Sequence, residues 1–110
     1  MIYVTIYQNN HEEITGFRTK GHAGYAQAGQ DIVCAAVSVL IINTINAIDA
    51  FTSDYISVSS EESKGEIELH LKVRPSDETK LLLNTMVLGL KQMVDDENYA
   101  EYIDLTFEEV

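Results

Sequence analysis

The chain has very little cysteine: among its 110 residues, only Cys34 carries a thiol. A single cysteine cannot form a disulfide within the chain, and disulfides belong to oxidising compartments. The first seven residues contain no Lys or Arg and alternate like a strand, so they do not predict a secretory signal. We therefore expect a cytoplasmic protein, and the length predicts that residues 1–110 form a single domain.

The chain is also short of basic residues, with 7 Lys and Arg against 18 Asp and Glu and a formal net charge of −11. Nucleic-acid binding depends on Lys and Arg that neutralise phosphates, so the charge disfavours nucleic acid as a direct ligand. A field of this sign would attract a basic partner. The same acidity could instead serve only to keep the protein soluble. The charge by itself does not distinguish a basic partner from solubility.

The one long hydrophobic segment, residues 32–51, is interrupted by polar residues. Its uninterrupted part, residues 32–42 with Ser38 inside it, is too short to cross a bilayer, and no basic flank follows. The pattern predicts a central helix buried on most sides rather than a membrane span. Because one sheet face would not cover so apolar a helix, we expect a homodimer that hides the remainder.

The hydrophobic periodicity predicts an α+β domain. Residues 2–7 and 13–20 predict a hairpin, and residues 55–59, 66–74 and 103–107 predict three further strands. Helices over residues 32–51 and from Ser76 onward complete the order β-β-α-β-β-α-β, and the three glycines of residues 21–30 predict a loop. We expect two helices packed on a mostly antiparallel or mixed sheet.

The position of Cys34 indicates a reactive thiol. Asp31 is typical of a helix N-cap, which would place Cys34 in the first turn, where the helix dipole and free N–H groups favour a thiolate. Amides at the same helix start, including that of Cys34, could stabilise an oxyanion. His22 lies upstream in the glycine-containing loop, which can fold back towards the helix start. The two residues predict a nucleophilic cysteine with a histidine general base.

Each of these residues also has a simpler interpretation. A lone cysteine in an apolar segment is most often a small buried side chain. Asp31 either caps the helix or orients His22 as the third member of a triad. Ser38, one turn after Cys34, either supports the site or satisfies a helix carbonyl. Since His22, Asp31 and Cys34 lack the paired spacing of metal ligands, we expect no metal. The other histidines are interpreted as structural or solvent-facing: His11 and His70.

Two segments resemble a known family. The Gly21-His22 pair and the run from Asp31 to Ser38, which reads Asp-Ile-Val-Cys-Ala-Ala-Val-Ser, are similar to the ribosomal-processing cysteine proteases called Prp. The resemblance extends over the whole chain in length, N-terminal hairpin, apolar helix and acidic C-terminal strand. It implies that Cys34 is the nucleophile and His22 the general base and acid, acting through a thioacyl intermediate without a cofactor. Asp31 matches a family position near the site, but no catalytic role follows from the match.

The resemblance also implies a substrate. Enzymes of this family are homodimers that remove a short N-terminal extension, at an apolar Phe-containing motif, from the large-subunit ribosomal protein numbered twenty-seven. A basic ribosomal protein would suit the acidic charge of this chain. We take Gly21 and Ala23, which flank His22, and Ser38 as candidate substrate-binding residues. The alternative is a non-catalytic, acidic ribosome-assembly or binding factor in which Cys34 only packs in the core.

Overall fold

Five strands form one mixed sheet in the computed structural model, which describes residues 1–21 and 28–110 and, over residues 28–31, the backbone alone. The strands lie in the order β3-β4-β2-β1-β5, and only β1 and β5 run parallel to each other. Two helices pack on one face of this sheet. The predicted element order and fold class are therefore confirmed. The bounds are β1 (Ile2–Gln8), β2 (Ile14–Lys20), α1 (Ala28–Phe51), β3 (Ile56–Glu61), β4 (Glu66–Leu71), α2 (Asp77–Asp95) and β5 (Ile103–Glu109), with single 3-10 turns at Glu62–Lys64 and Ala100–Tyr102.

The core lies between the helices and the sheet because strand side chains alternate between its two faces. Ile2, Val4 and Ile6 of β1 are all buried, whereas the intervening Tyr3 is half exposed. The same alternation along β2 and β4 buries Phe17 and leaves the opposite face to charged side chains. Buried residues of both helices complete the core: Val33, Val37, Ile41, Ile48, Leu83, Met86, Val87 and Leu90.

From Ile32 onward, the first helix is buried on one side only. Val33, Val37, Ile41 and Ile48 recur at helical spacing and pack in the core, which is typical of a core helix, although the helix is long and apolar enough to cross a membrane. Within Ile32–Phe51, only 28% of the apolar 18-residue window is buried. The prediction of a helix buried on most sides is therefore wrong for the single chain. The exposed side carries apolar side chains, including Ile32, Val39 and Ile42.

Two element boundaries differ from the predictions by three residues or more. The first helix begins at Ala28 rather than Ile32, so the predicted loop over residues 21–30 is too long, and residues 22–27 lie outside the described residues. β4 ends at Leu71 rather than Arg74. Its partner β3 begins at Ile56, opposite Leu71, and one further backbone bond runs from the Lys72 amide to the Tyr55 carbonyl. A β4 that continued through residues 73–74 would extend past the start of β3. The second helix begins as predicted, where the Ser76 hydroxyl accepts a hydrogen bond from the Thr79 amide.

A buried carboxylate ties the β1–β2 turn to the second helix. Glu13 is only 8% exposed and accepts hydrogen bonds from the side chains of Asn9, Arg74 and Lys80 at 2.9–3.1 Å. These contacts, led by the Asn9 amide and the Arg74 guanidinium, lower the pKa of Glu13 to about 2. The turn is fixed further by Asn9, whose side-chain oxygen accepts from the amide of His11. His11 is solvent-facing, as predicted.

Candidate active site

The Cys34 side chain is partly exposed on the first helix. It is a free thiol that packs beside the core while retaining access to solvent. Its helical neighbours Val33 and Val37 are buried, and this anchors the thiol-bearing turn against the sheet. Ser38 lies one turn further along the same face. Cys34 is therefore neither a fully buried core residue nor a freely exposed one.

A cavity of about 340 Å³ opens beside this thiol. The first helix forms one wall, the sheet forms its floor, and the turn between β3 and β4 forms the opposite rim. We call this cavity the Cys34 cleft. It is lined by Ile2, Thr19, Gly21, Cys34, Val37, Ser38, Ile41, Ser60, Glu61, Glu62, Gly65, Glu66 and Ile67. Three of the candidate residues, Gly21, Cys34 and Ser38, thus meet at one site.

Gly21 occupies a position that only glycine fits easily. Its φ is +116°, and a Cβ atom would lie 2.4 Å from the carbonyl oxygen of Met1. The residue follows β2 directly and lines the Cys34 cleft, so the chain leaves the sheet at the cleft wall. His22 is bonded to Gly21, but His22 and Ala23 lie outside the described residues.

The N-cap prediction for Asp31 is wrong. Because the first helix begins at Ala28, Asp31 is its fourth residue and Cys34 its seventh. The dipole effect is concentrated in the first turn, so the predicted dipole stabilisation of a Cys34 thiolate loses its basis. The amide of Cys34 falls within the helical hydrogen-bond ladder and is not one of the free amides of the helix start. The Asp31 side chain lies outside the described part of the chain, so an orienting role towards His22 stays a prediction.

An acidic rim borders the cleft. From the sequence, this segment was predicted only as a turn. Glu61, Glu62 and Glu66 come from the hairpin between β3 and β4. Glu66 forms an ion pair with Arg18 at 3.1 Å, and that guanidinium lowers the pKa of Glu66. Glu61 lies 3.5 Å from the ammonium group of Lys64. The glutamates of this turn are visible in the sequence. Their position at the same cleft as Cys34 depends on long-range packing, which no local sequence pattern predicts.

The other candidate chemistry lies away from the cleft. His70 is on the polar face of β4, as predicted, where it stacks on Tyr7 with ring centroids 5.3 Å apart and bonds Glu68 at 2.8 Å. Among residues 1–21 and 32–110, no group of three or more His, Cys, Asp or Glu side chains could hold a metal ion. His22, one of the residues weighed as a ligand, lies outside that range.

Comparison with known proteins identifies the family. The family model described as cysteine protease Prp matches residues 1–104. The ribosomal processing cysteine protease Prp of Staphylococcus aureus is 32% identical over 107 residues, covering 97% of this chain and 99% of the relative. The chain belongs to the Prp family. The Prp of Bacillus subtilis is 28% identical over 110 residues, covering 96% of each chain.

Solved Prp structures share the fold. The S. aureus protease Prp with a substrate peptide superposes with a TM-score of 0.90 at 30% identity, covering 98% of this chain and 100% of that one. The same protease with a covalently linked product peptide gives a TM-score of 0.86 at 31% identity, with the same coverage. These matches confirm the predicted family, the fold and the enzyme class. The chain is a cysteine protease of the Prp family.

Proposed function

We propose that this chain is a cysteine endopeptidase that removes the N-terminal extension of the large-subunit ribosomal protein numbered twenty-seven during ribosome assembly. One observation carries the proposal: the only thiol of the chain lines an open cleft in a member of a protease family. The relatives are named ribosomal processing proteases, and the S. aureus protease has been solved with a covalently linked product peptide.

In the proposed mechanism, Cys34 supplies the nucleophile. Its thiolate attacks the scissile carbonyl, and the departing amine takes a proton from the His22 imidazolium, which leaves a thioacyl enzyme. His22 then removes a proton from water, the hydroxide attacks the thioester, and the carboxylic acid leaves while the Cys34 thiolate and the His22 imidazolium are restored. Two observations support this assignment. Cys34 is partly exposed, and His22 directly follows the cleft residue Gly21 in the sequence.

The cleft also suits the proposed substrate. Val37, Ile41 and Ile67 provide apolar walls for an apolar extension, while the acidic rim and the net charge of −11 would attract a basic ribosomal protein. Gly21 and Ser38 stand at the cleft as substrate-binding candidates, with Ala23 beside them in sequence. If the acidic charge attracts the substrate, kcat/KM should fall as ionic strength rises. A kcat/KM that does not change with ionic strength would mean that the charge serves solubility alone.

The assembly and location follow from the same features. The exposed apolar side of the first helix supports a homodimer that covers it. The unpaired cysteine and a ribosomal substrate support a cytoplasmic location. Cell fractionation of the tagged chain tests the location, and recovery in a membrane fraction would contradict it.

The decisive experiment incubates the extended ribosomal protein with the chain and records intact mass. Wild type should release the extension, and Cys34→Ala should not, because no other thiol can form the acyl enzyme. Equal cleavage by Cys34→Ala would contradict the nucleophile assignment. Binding without cleavage by wild type would favour the non-catalytic assembly factor.

A second experiment tests His22 against matched histidines. The rate of Cys34 alkylation by iodoacetamide is followed against pH for wild type, His22→Ala, His11→Ala and His70→Ala. Loss of the general base should remove reactivity near neutral pH in His22→Ala alone, because the other two histidines lie outside the Cys34 cleft. Unchanged alkylation in His22→Ala would contradict its assigned role.

A further inference from the structure

β3 (Ile56–Glu61) lies at one edge of the sheet. This strand pairs with β4 on one side, and no strand in the described part of the chain pairs with its other side. A free edge presents a row of backbone N–H and C=O groups that can pair with another extended segment.

The hydrogen bonds at the start of the ladder identify the outward-facing residues. The Lys72 amide donates to the Tyr55 carbonyl at 3.0 Å, so this pair is a hydrogen-bonded pair of the antiparallel ladder. Such pairs alternate with pairs that do not bond each other. Ile56, Val58 and Ser60 therefore direct their backbone groups away from β4, towards the free edge.

The two edges of the sheet differ in their protection. Proteins guard edge strands with charged side chains, proline or bulges. β5, at the opposite edge, carries Asp104, Glu108 and Glu109. In β3, the sequence Ile-Ser-Val-Ser-Ser-Glu contains no proline and no charge before Glu61. The β3 edge is thus the one left open to pairing.

This open edge runs into the Cys34 cleft. Ser60 lines the cleft together with Cys34, and it is also the last of the three outward-facing residues. The side chains of Ile56 and Val58 lie on the helix-bearing face, opposite Leu71 and Leu69 in the register, and Val58 is 46% exposed. An apolar surface therefore lies beside the row of free backbone groups and continues into the cleft.

We infer that an extended segment of the substrate adds to β3 as a sixth strand and that this pairing delivers the scissile bond to Cys34. The backbone of the substrate bonds the free groups of Ile56, Val58 and Ser60, and every second side chain meets the apolar surface beside Val58. Recognition then depends on an extended conformation as well as on side chains. The inference rests on the proposed function, because it assigns a binding mode to that same cleft.

The first test removes one outward N–H from β3. Val58→Pro deletes this donor without touching the β4 ladder, and Val58→Thr keeps both the N–H and the branched shape. A matched control, Glu109→Pro, alters the other sheet edge, where the Val110 amide bonds Gln8 and Glu109 faces outward. We expect the KM for the peptide to be about threefold to tenfold higher for Val58→Pro than for Val58→Thr, which changes the same side chain but keeps the N–H, because Val58→Pro loses about one hydrogen bond; Glu109→Pro should stay near wild type.

The second test uses wild-type protein and a peptide spanning the extension junction, N-methylated at one amide at a time. Strand addition predicts that methylation at every second amide raises KM, because only alternate amides face β3. Cleavage that shows no alternation, together with equal KM for Val58→Pro and Val58→Thr, would overturn the strand addition and leave the protease assignment intact. A wild-type chain that cuts no peptide would overturn both. Loss of dimer mass in Val58→Pro with unchanged KM would show that a second copy occupies the edge instead.

Discussion

Substitution of Val39 by Asp on the exposed side of the first helix should dissociate the proposed homodimer. Val39 is 67% exposed, and Ile32 and Ile42 on the same side of the helix are 54% and 47% exposed. Residues three and seven apart share one helix side, so the three side chains form a single apolar patch. In a twofold dimer each substitution acts twice.

The size of the effect follows from these exposures. Complete burial of a Val or Ile side chain contributes about 2 kcal/mol, so covering the three exposed fractions would contribute roughly 3 kcal/mol from each protomer. Val39 alone accounts for about 2.5 kcal/mol per dimer, which corresponds to about a 100-fold change in Kd. A buried, unpaired Asp adds a further penalty, so the Kd should rise at least 100-fold.

Sedimentation velocity over a concentration series measures this Kd directly. Val39→Ala keeps the patch uncharged and should give an intermediate Kd. Leu88→Asp is the matched control, because Leu88 is an exposed apolar residue (58%) on the second helix. A wild-type chain that stays monomeric at high concentration, or a Val39→Asp variant as dimeric as wild type, would refute the reasoning. Dissociation by Leu88→Asp alone would place the interface on the second helix.

Three further predictions concern the stability of the fold. Gly16→Ala should lower the free energy of unfolding by about 1–3 kcal/mol in urea titrations, because the added Cβ would lie 2.4 Å from the Leu69 carbonyl oxygen and neither backbone yields cheaply. Phe17→Ala should lower the free energy of unfolding by about 3–5 kcal/mol in the same titrations, since Phe17 is fully buried. A smaller loss than that of Leu81→Ala, at an exposed apolar residue, would contradict the described core. Glu13→Gln should flatten the acid branch of a plot of Tm against pH. The pKa of Glu13 falls from 4.5 to about 2 on folding, so its contribution is present above about pH 4.5 and is lost as the pH falls through about 2; a Gln variant with the acid branch of wild type would contradict this.

The strands and the second helix were predictable because their signals are local. Alternation in residues 2–7 and 66–71 matches the two faces of a strand, and Ser76 followed by acidic residues matches a helix start. The start of the first helix was not predictable from Asp31, because an Asp is a good cap but is also tolerated inside a helix. The end of β4 depended on where its partner β3 begins, which residues 72–74 do not encode.

The site was predictable only in part. Cys34, Ser38 and Gly21 were selected from the sequence, and the structure places all three in one cleft. The acidic rim was missed because Glu61, Glu62 and Glu66 lie far from Cys34 in the chain and meet it only through the packing of helix against sheet. His22, Ala23 and the Asp31 side chain fall outside the described residues, so their roles stay predictions.

The sequence by itself determined the family, the order of elements and the identity of the only thiol, because residue periodicity and motif residues are properties of short segments. The tertiary structure alone decided which side of the first helix stays exposed, which residues border the thiol and which strands lie at the two sheet edges. Those features arise where segments distant in the chain pack against each other, as β1, the first helix and the β3–β4 hairpin do around the Cys34 cleft. A local pattern shows that a helix has an apolar surface, but only packing shows how much of that surface the fold covers.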